Sequence, residues 1–407
     1  MPKQPFNFAE IGNTGLKRSY GYIYDEFLPS LRGVRGRKTY REMRDNDAII
    51  GAMFFAITQI LRESRWDVRT KDDASEEGKK DVELLKDSLF GMTHSWSGVF
   101  TDILSFFTYG FSLLEQVYHR NAKNQTVWKK LAFRAQESIE RWKIDDFGET
   151  VGFYQRPAPD YRERYIPIGK CLHFRTESAG NNPEGRSILR NAFRAWFMKK
   201  NIEEIEAIGV ERDLAGLPTL TMPEGFDPTS EDVDVQRQIT SAKALISNIR
   251  RDEQEGILLP FGWVMTLLAS SGHRQIDTVS VINRYNKEMA ATVLAQFIML
   301  GMERTGSYAL AREQTDMFYL ALEAWADYIA TVMNRYAVPQ LFAYNGIKDR
   351  PLPYLVHTPI RRFTLKDIAE YVSKLSDEKV NALEITDDVK GFLRRYGRLE
   401  EFSEVRR

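Results

Sequence analysis

The chain has 407 residues, 43% of them hydrophobic, which is ample for one or more cores and excludes a disordered tether. Its 57 basic residues balance 57 acidic ones, so bulk charge argues neither for a nucleic-acid clamp nor for a membrane-surface binder. A single cysteine, Cys171, can form no internal disulfide and gives no basis for a zinc or redox centre, which fits a reducing cytoplasm.

Residues 1 to 40 are Gly-rich and aromatic (Tyr20, Tyr22, Tyr24, Phe27) and read as an extended arm, and Met1 to Glu10 lacks the apolar core of a secretory signal. The basic run Arg32, Arg35, Arg37, Lys38, Arg41 and Arg44 has Glu42, Asp45 and Asp47 beside it, which predicts a solvated or salt-bridged surface. Apolar periodicity predicts helices over Asp47 to Glu63, Val82 to Phe90 and Trp96 to Leu113, with a strand at Trp66 to Val68 between the first two. Strand signals follow at Leu114 to Tyr118, Thr126 to Arg134, Ser138 to Ile144, Val151 to Gln155 and Cys171 to Thr176. Residues 40 to 179 therefore read as an α+β domain with an antiparallel sheet.

The phrase Asn181-Asn182-Pro183-Glu184-Gly185 is turn chemistry, and a long amphipathic helix should start near Ser187 and run to Arg212. Its apolar stripe is Ile188, Leu189, Ala192, Phe193, Trp196 and Phe197. Gly216 ends it. A β-prone phrase from Leu217 to Met222, a polar helix from about Asp232 to Arg251 and a second β-prone phrase from Gly256 to Ser270 form a small α/β insertion. The chain then returns in a second long helix, Asp277 to Leu300, striped by Ile282, Tyr285, Met289, Val293, Phe297 and Leu300. Periodicity leaves open whether the two stripes pack within one subunit or against neighbouring subunits.

A Gly-bounded loop, Gly301 to Ser307, carries Met302, Glu303, Arg304, Thr305 and Ser307. Glu313 to Tyr336 is a strong helix with a wide apolar face, ended by Val338-Pro339, and the tail from Leu365 to Leu399 reads as three short helices. Met289 to Met302, the most apolar stretch, is interrupted by polar residues and falls short of the roughly 20 needed to span a bilayer.

No catalytic constellation emerges. His94, His119, His173, His273 and His357 are dispersed, and neither a phosphate-binding loop nor a nucleophile elbow occurs. No catalytic residue, cofactor or metal site is therefore expected. Asp145, Asp146 and Glu149 are the carboxylates on which a metal-dependent DNA-processing enzyme would rest, although all three fall in a turn. A scaffold or adaptor without a channel is a further alternative.

The Pro183-Glu184-Gly185 turn before a helix with Ala192, Trp196 and Lys200, the Leu217-Pro218 strand, Gly306-Ser307-Tyr308-Ala309-Leu310-Ala311, Val338-Pro339-Gln340-Leu341 with Asn345-Gly346, and Ile11 to Leu16 occur in an order that resembles the Mu-type portal proteins of tailed bacteriophages. The resemblance implies an arm over 1–39, an α+β wing over 40–185, a first stem helix over 186–213 and an α/β clip over 214–276. It continues with a second stem helix over 277–300, a tunnel loop over 301–312, a long tunnel or wing helix over 313–345 and a short helical crown over 346–407. The implied fold class is a predominantly helical α+β subunit that assembles as a ring of about twelve copies. By the same resemblance the ring is a channel at one capsid vertex of the virion, made in a bacterial host, through which double-stranded DNA is packaged and ejected without sequence preference. The implied partners are the major capsid protein, the terminase large subunit and head-completion adaptors, with no membrane. Met302, Glu303, Arg304, Thr305 and Ser307 would face the DNA, and Phe193, Trp196, Phe197, Tyr285, Met289 and Phe297 would pack the stem and its subunit contacts.

Overall fold

A computed structural model describes residues 10–71, 75–215, 217–248, 259, 261–268, 277–292, 308–348 and 350–360. The chain divides into two compact units, one made of Met1–Ala192 with Met289–Arg407 and the other of Phe193–Glu288.

The larger unit opens with a hairpin, β1 (Arg18–Ser19) and β2 (Tyr22–Ile23), followed by two helices that meet at Asp47, the charged α1 (Gly33–Asn46), where the sequence suggested only an arm and a basic run, and the apolar α2 (Ala48–Glu63). Asp47 starts α2 by accepting from the amides of Ile49 and Ile50 at 3.0 and 3.1 Å, so the expected boundary holds to one residue. After β3 (Trp66–Arg69), α3 spans Glu76–Phe90, six residues earlier than its apolar pattern suggests, because Ser75 caps it through the Gly78 amide. The expected single helix from Trp96 to Leu113 is instead α4 (Trp96–Leu104) and α5 (Phe106–Tyr109). Gly110, at φ +92, closes α5 in the left-handed conformation, and the next apolar residues become strand.

Two three-stranded antiparallel sheets follow. One has the order β5-β4-β9, built from β4 (Phe111–Arg120), β5 (Thr126–Phe133) and β9 (Cys171–Arg175). The other has the order β6-β7-β8, from β6 (Ile139–Ile144), β7 (Thr150–Gln155) and β8 (Arg164–Pro167). Phe111, Leu113, Ile139, Trp142, Phe153, Ile166 and Cys171 join the two sheets in one buried cluster. Burying each large apolar side chain there stabilises the fold by about 1.5–3 kcal/mol. The expected antiparallel α+β domain is present, with β8 as a strand the sequence did not announce.

The smaller unit holds α6 (Phe193–Ala215), β10 (Leu217–Thr221), α7 (Val233–Asn248), β11 (Val264–Leu268) and most of α8 (Thr278–Ala291). β10 and β11 pair antiparallel, Thr219 meeting Thr266, and Trp263 packs edge-on against Phe226 at 5.3 Å. Two helices thus bracket a small α/β module, as the sequence suggested. The first helix begins later than Ser187, which caps only a short 3-10 turn over Ile188–Arg190.

Back in the larger unit, α9 (Tyr308–Val332) does not stop at Val338-Pro339. It continues through one widened π-type turn, Met333–Ala337, into α10 (Val338–Tyr344). β12 (Tyr354–His357) then pairs antiparallel with β3, so this late segment completes a sheet begun near residue 66. The expected helices from Leu365 to Leu399 lie outside the described residues.

Candidate channel and assembly surfaces

The Asn181 to Gly185 turn is the anchor from which the segment leading into α6 departs. Glu184 sits on a buried guanidinium, Arg37 Nη2 at 2.5 Å, and accepts from Trp142 Nε1 at 3.1 Å. Arg37 is almost wholly enclosed and spends its other amine on the carbonyls of Gln136 and Ile139, at 3.0 and 2.7 Å. The Pro183 carbonyl accepts from His173 Nε2 at 2.8 Å, and the His173 ring stacks on Trp142 at 5.6 Å. Burial, with the Arg175 charge beside it, pushes the His173 imidazole down to about 3. It is neutral, and its Nε2–H is the donor.

Two glycines permit this docking. Gly185 has φ +55 and Gly110 φ +92, and a Cβ on either would collide with the backbone of the other's strand or turn. Ser187 then donates to the Thr108 carbonyl at 2.6 Å, and Arg190 pairs with Glu26 while lying over the Phe27 ring at 5.0 Å. Burial alone would raise the Glu26 carboxyl, but the bonds from Arg190 and the Leu28 amide hold it below its ordinary value. The arm, α1, the sheets and the turn are therefore one hydrogen-bonded assembly.

The stem residues separate into two groups. Trp196 is 6% exposed and Met289 is fully buried within one chain, so burial of these two needs no neighbouring subunit. Phe193 lies against Trp196 and Phe197 at 6.1 and 6.0 Å, and Lys200 sits over Trp196 at 5.6 Å. Tyr285 is half-buried with Arg284 over its ring at 4.9 Å. Phe197 is left 45% exposed, with Ile205 at 69% and Ile208 at 49%. At about 100° per residue these three, at i, i+8 and i+11, share one face of α6, opposite the buried Ala195, Trp196 and Lys199. The buried side is confined to the first turns of the helix, since Val210, on the same side as Ala195 and Lys199, is 44% exposed. Thr278 donates to Glu206, tying the start of α8 to α6.

Met302, Glu303, Arg304, Thr305, Ser307 and Phe297 lie outside the described residues. Arg41 and Arg44 of the basic run are salt-bridged at the surface, as expected, whereas Arg37 is buried rather than solvated. Arg37 holds Glu184, Arg41 reaches Glu137 at 3.0 Å, Arg44 reaches Asp45 at 2.8 Å, and Arg32 Nη2 binds the Phe27 carbonyl at 3.0 Å. The Arg37–Glu184 pair was not legible, because nothing local connects residues so far apart in sequence.

Asp145 is consumed by its own turn, accepting from the amides of Phe147 and Glu149 at 3.0 and 2.8 Å. Among the described residues no three His, Cys, Asp or Glu side chains converge as a metal site, and no described helix is long and apolar enough to cross a membrane. Burial pushes the Cys171 thiol up to about 12, which makes it unreactive.

Over residues 37–397 the chain matches the family described as the portal protein of Mu bacteriophage. Among solved structures it is similar to a chain in the neck of an empty gene transfer agent particle computed with sixfold symmetry, with a TM-score of 0.55 and 12% identity, covering 87% of this chain and 93% of that one. A chain in the neck of the native particle, computed with twelvefold symmetry, gives 0.54 and 12%, covering 85% and 91%. A chain in the virion of the native particle gives 0.52 and 13%, covering 85% and 90%. At such identities these likenesses concern the fold. The family match spans most of the sequence, and the chain belongs to the portal proteins of Mu-type bacteriophage.

Proposed function

We propose that the protein assembles head to tail into a closed ring whose central channel passes double-stranded DNA at one vertex of a capsid. In this reading α6 and α8 are the stem, the β10-α7-β11 module is the clip, residues 301–307 contribute the tunnel loop, where 301–312 was expected but a helix already begins at Tyr308, and residues 361–407 contribute the crown, where 346–407 was expected but β12 belongs to a sheet with β3. The observation that carries it is the apolar face of α6, Phe197, Ile205 and Ile208, left exposed in a chain of portal family and fold. A neighbouring copy would cover that face, and head-to-tail contact of this kind closes into a ring. The relatives of similar fold come from particle necks computed with sixfold and twelvefold symmetry, which supports a closed ring here.

The 57-to-57 charge balance suits a conduit better than a clamp, since neutralising many phosphates gives tight, salt-dependent binding that opposes sliding. With no phosphate loop in the sequence, the driving force for packaging would come from a separate motor, the terminase, docked at the clip. Capsid protein and head-completion adaptors would complete the vertex. Mass photometry of the purified chain tests the reading: a species of several to twelve-fold subunit mass, stable on dilution, is expected, and a monomer at all concentrations overturns it.

A further inference from the structure

The arm hairpin β1-β2 stands beside the outer edge of β6, and together with the open face of that sheet it forms a groove of about 620 Å³. The edge contact is made by the Gly21 carbonyl, which accepts from the Trp142 amide at 2.9 Å. Gly21 fits so closely that a Cβ there would lie 2.3 Å from the Trp142 carbonyl oxygen. Trp142 is buried, so alternation along β6 turns Arg141 and Lys143 to the groove. Tyr154 lies opposite Arg141 in the ladder, and its ring carries the Arg141 guanidinium at 3.7 Å. The hairpin contributes Arg18, Tyr20 and Tyr22 to the lining.

Two cations in this groove have no acid to neutralise them. Arg18 spends one amine on the Asp145 carbonyl at 2.6 Å and Lys143 lies over the Tyr165 ring at 5.2 Å, but among the described residues neither meets a carboxylate. Glu163 is committed to Arg141 at 2.6 Å and Glu140 to the Tyr22 hydroxyl at 3.1 Å. Tyr20 is 92% exposed, and its turn holds it at φ +49 beside Gly21 at φ +87, a left-handed pair in which asparagine is the favoured first residue. A bulky ring is thus kept open to solvent at a position that suits a small polar side chain better.

We propose that this groove binds a single-stranded nucleic acid, with phosphates on Arg18 and Lys143 and a base stacked on Tyr20. Uncompensated cations along a groove that carries exposed aromatic rings are the arrangement that grips a single strand without reading its sequence. A duplex keeps its bases stacked on one another and offers Tyr20 no free base face. An acidic peptide would gain most by adding a strand to β6, but the Gly21 carbonyl already takes the middle of that edge. None of these residues belongs to the segment 301–307, to which the channel reading assigns the passing duplex, and the groove is complete in one chain without a ring.

Fluorescence anisotropy of the full-length protein with a labelled oligothymidylate of about ten nucleotides tests this. Wild type is expected to bind it more tightly than a duplex of the same length. Tyr20→Asn suits the left-handed turn while removing the ring, and should weaken binding at least about fivefold. Lys143→Ala should reduce the slope of log affinity against log salt by about 0.7, the share of one phosphate contact on a single strand. A Tyr20→Asn protein that binds as wild type does, or an unchanged slope in Lys143→Ala, would overturn the assignment. So would no binding by wild type, a preference for the duplex, or displacement of the strand more readily by an oligoglutamate peptide than by unlabelled oligothymidylate. Subunit mass measured on the same preparations separates the two readings: rings without strand binding sink this inference alone, whereas strand binding without rings leaves it standing and contradicts the function proposed above.

Discussion

At the scale of single residues, the turn that carries the family likeness proves to be a structural anchor. Glu184 neutralises a guanidinium that is 4% exposed, so removing it strands a buried charge. Glu184→Ala should lower the unfolding free energy by about 3–5 kcal/mol, read by denaturant titration. A change under about 0.5 kcal/mol would mean that Arg37 finds solvent or another partner. His173 gives the fold a pH limb. Its imidazole titrates at about 3 in the folded chain and near its ordinary value, about 6.5, when unfolded. Between those values only the unfolded chain binds the proton, so stability is complete above about pH 6.5 and falls as the pH drops towards 3, by up to about 1.4 kcal/mol per unit. His173→Gln keeps a donor for Pro183 and should flatten that limb; an unchanged pH profile would contradict the assignment. The turn itself was legible from its Asn, Pro and Gly residues. What it holds was not, since Arg37, Trp142 and His173 reach it through tertiary packing that no local pattern records.

Among the elements, the long C-terminal helix departs most from its sequence pattern. Pro339 lacks the amide that would bond the Arg335 carbonyl, which is why a stop at Val338-Pro339 is the natural reading. The helix instead widens by one turn at Met333–Ala337 and goes on, keeping Met333, Ala337, Val338, Leu341 and Phe342 all buried. Two asparagines use the arrangement to close sheet edges. Asn334 pairs its amide with both backbone groups of Leu355 in β12, at 2.9 and 2.7 Å. Asn345 does the same for Thr126 in β5, at 2.8 Å each way. Each side chain stands in for a missing strand, and an open edge would otherwise invite pairing with another chain. Asn345→Ala should cost about 1–3 kcal/mol and speed hydrogen exchange at the Thr126 amide. Unaltered exchange there would show that the edge is protected by other means. Helices α2 to α4 and most strands were readable because caps and apolar periods are local signals, whereas α1, read as arm and basic run, has few apolar residues to mark it, and β12 and the widened turn depend on partners far along the chain.

On the scale of the whole molecule, the two faces of α6 separate stability from assembly. Trp196→Ala, on the buried face, should lower stability by about 3–5 kcal/mol. Phe197→Asp with Ile208→Asp, on the exposed face, should leave subunit stability within about 0.5 kcal/mol while shifting mass photometry from rings to single subunits. Rings that survive the double substitution would move the subunit contact elsewhere. The order of helices, turn and small α/β module was visible in sequence and carried the family likeness. Which stripe faces inward was not, because a helical period marks apolar faces without saying what covers them.

The account stands or falls on the ring, and single-particle electron microscopy of the purified full-length protein tests it most directly. It predicts a closed ring with an open central hole and the Phe197 face of α6 at the contact between neighbouring copies. A monomer or dimer that persists across concentration and salt would contradict it.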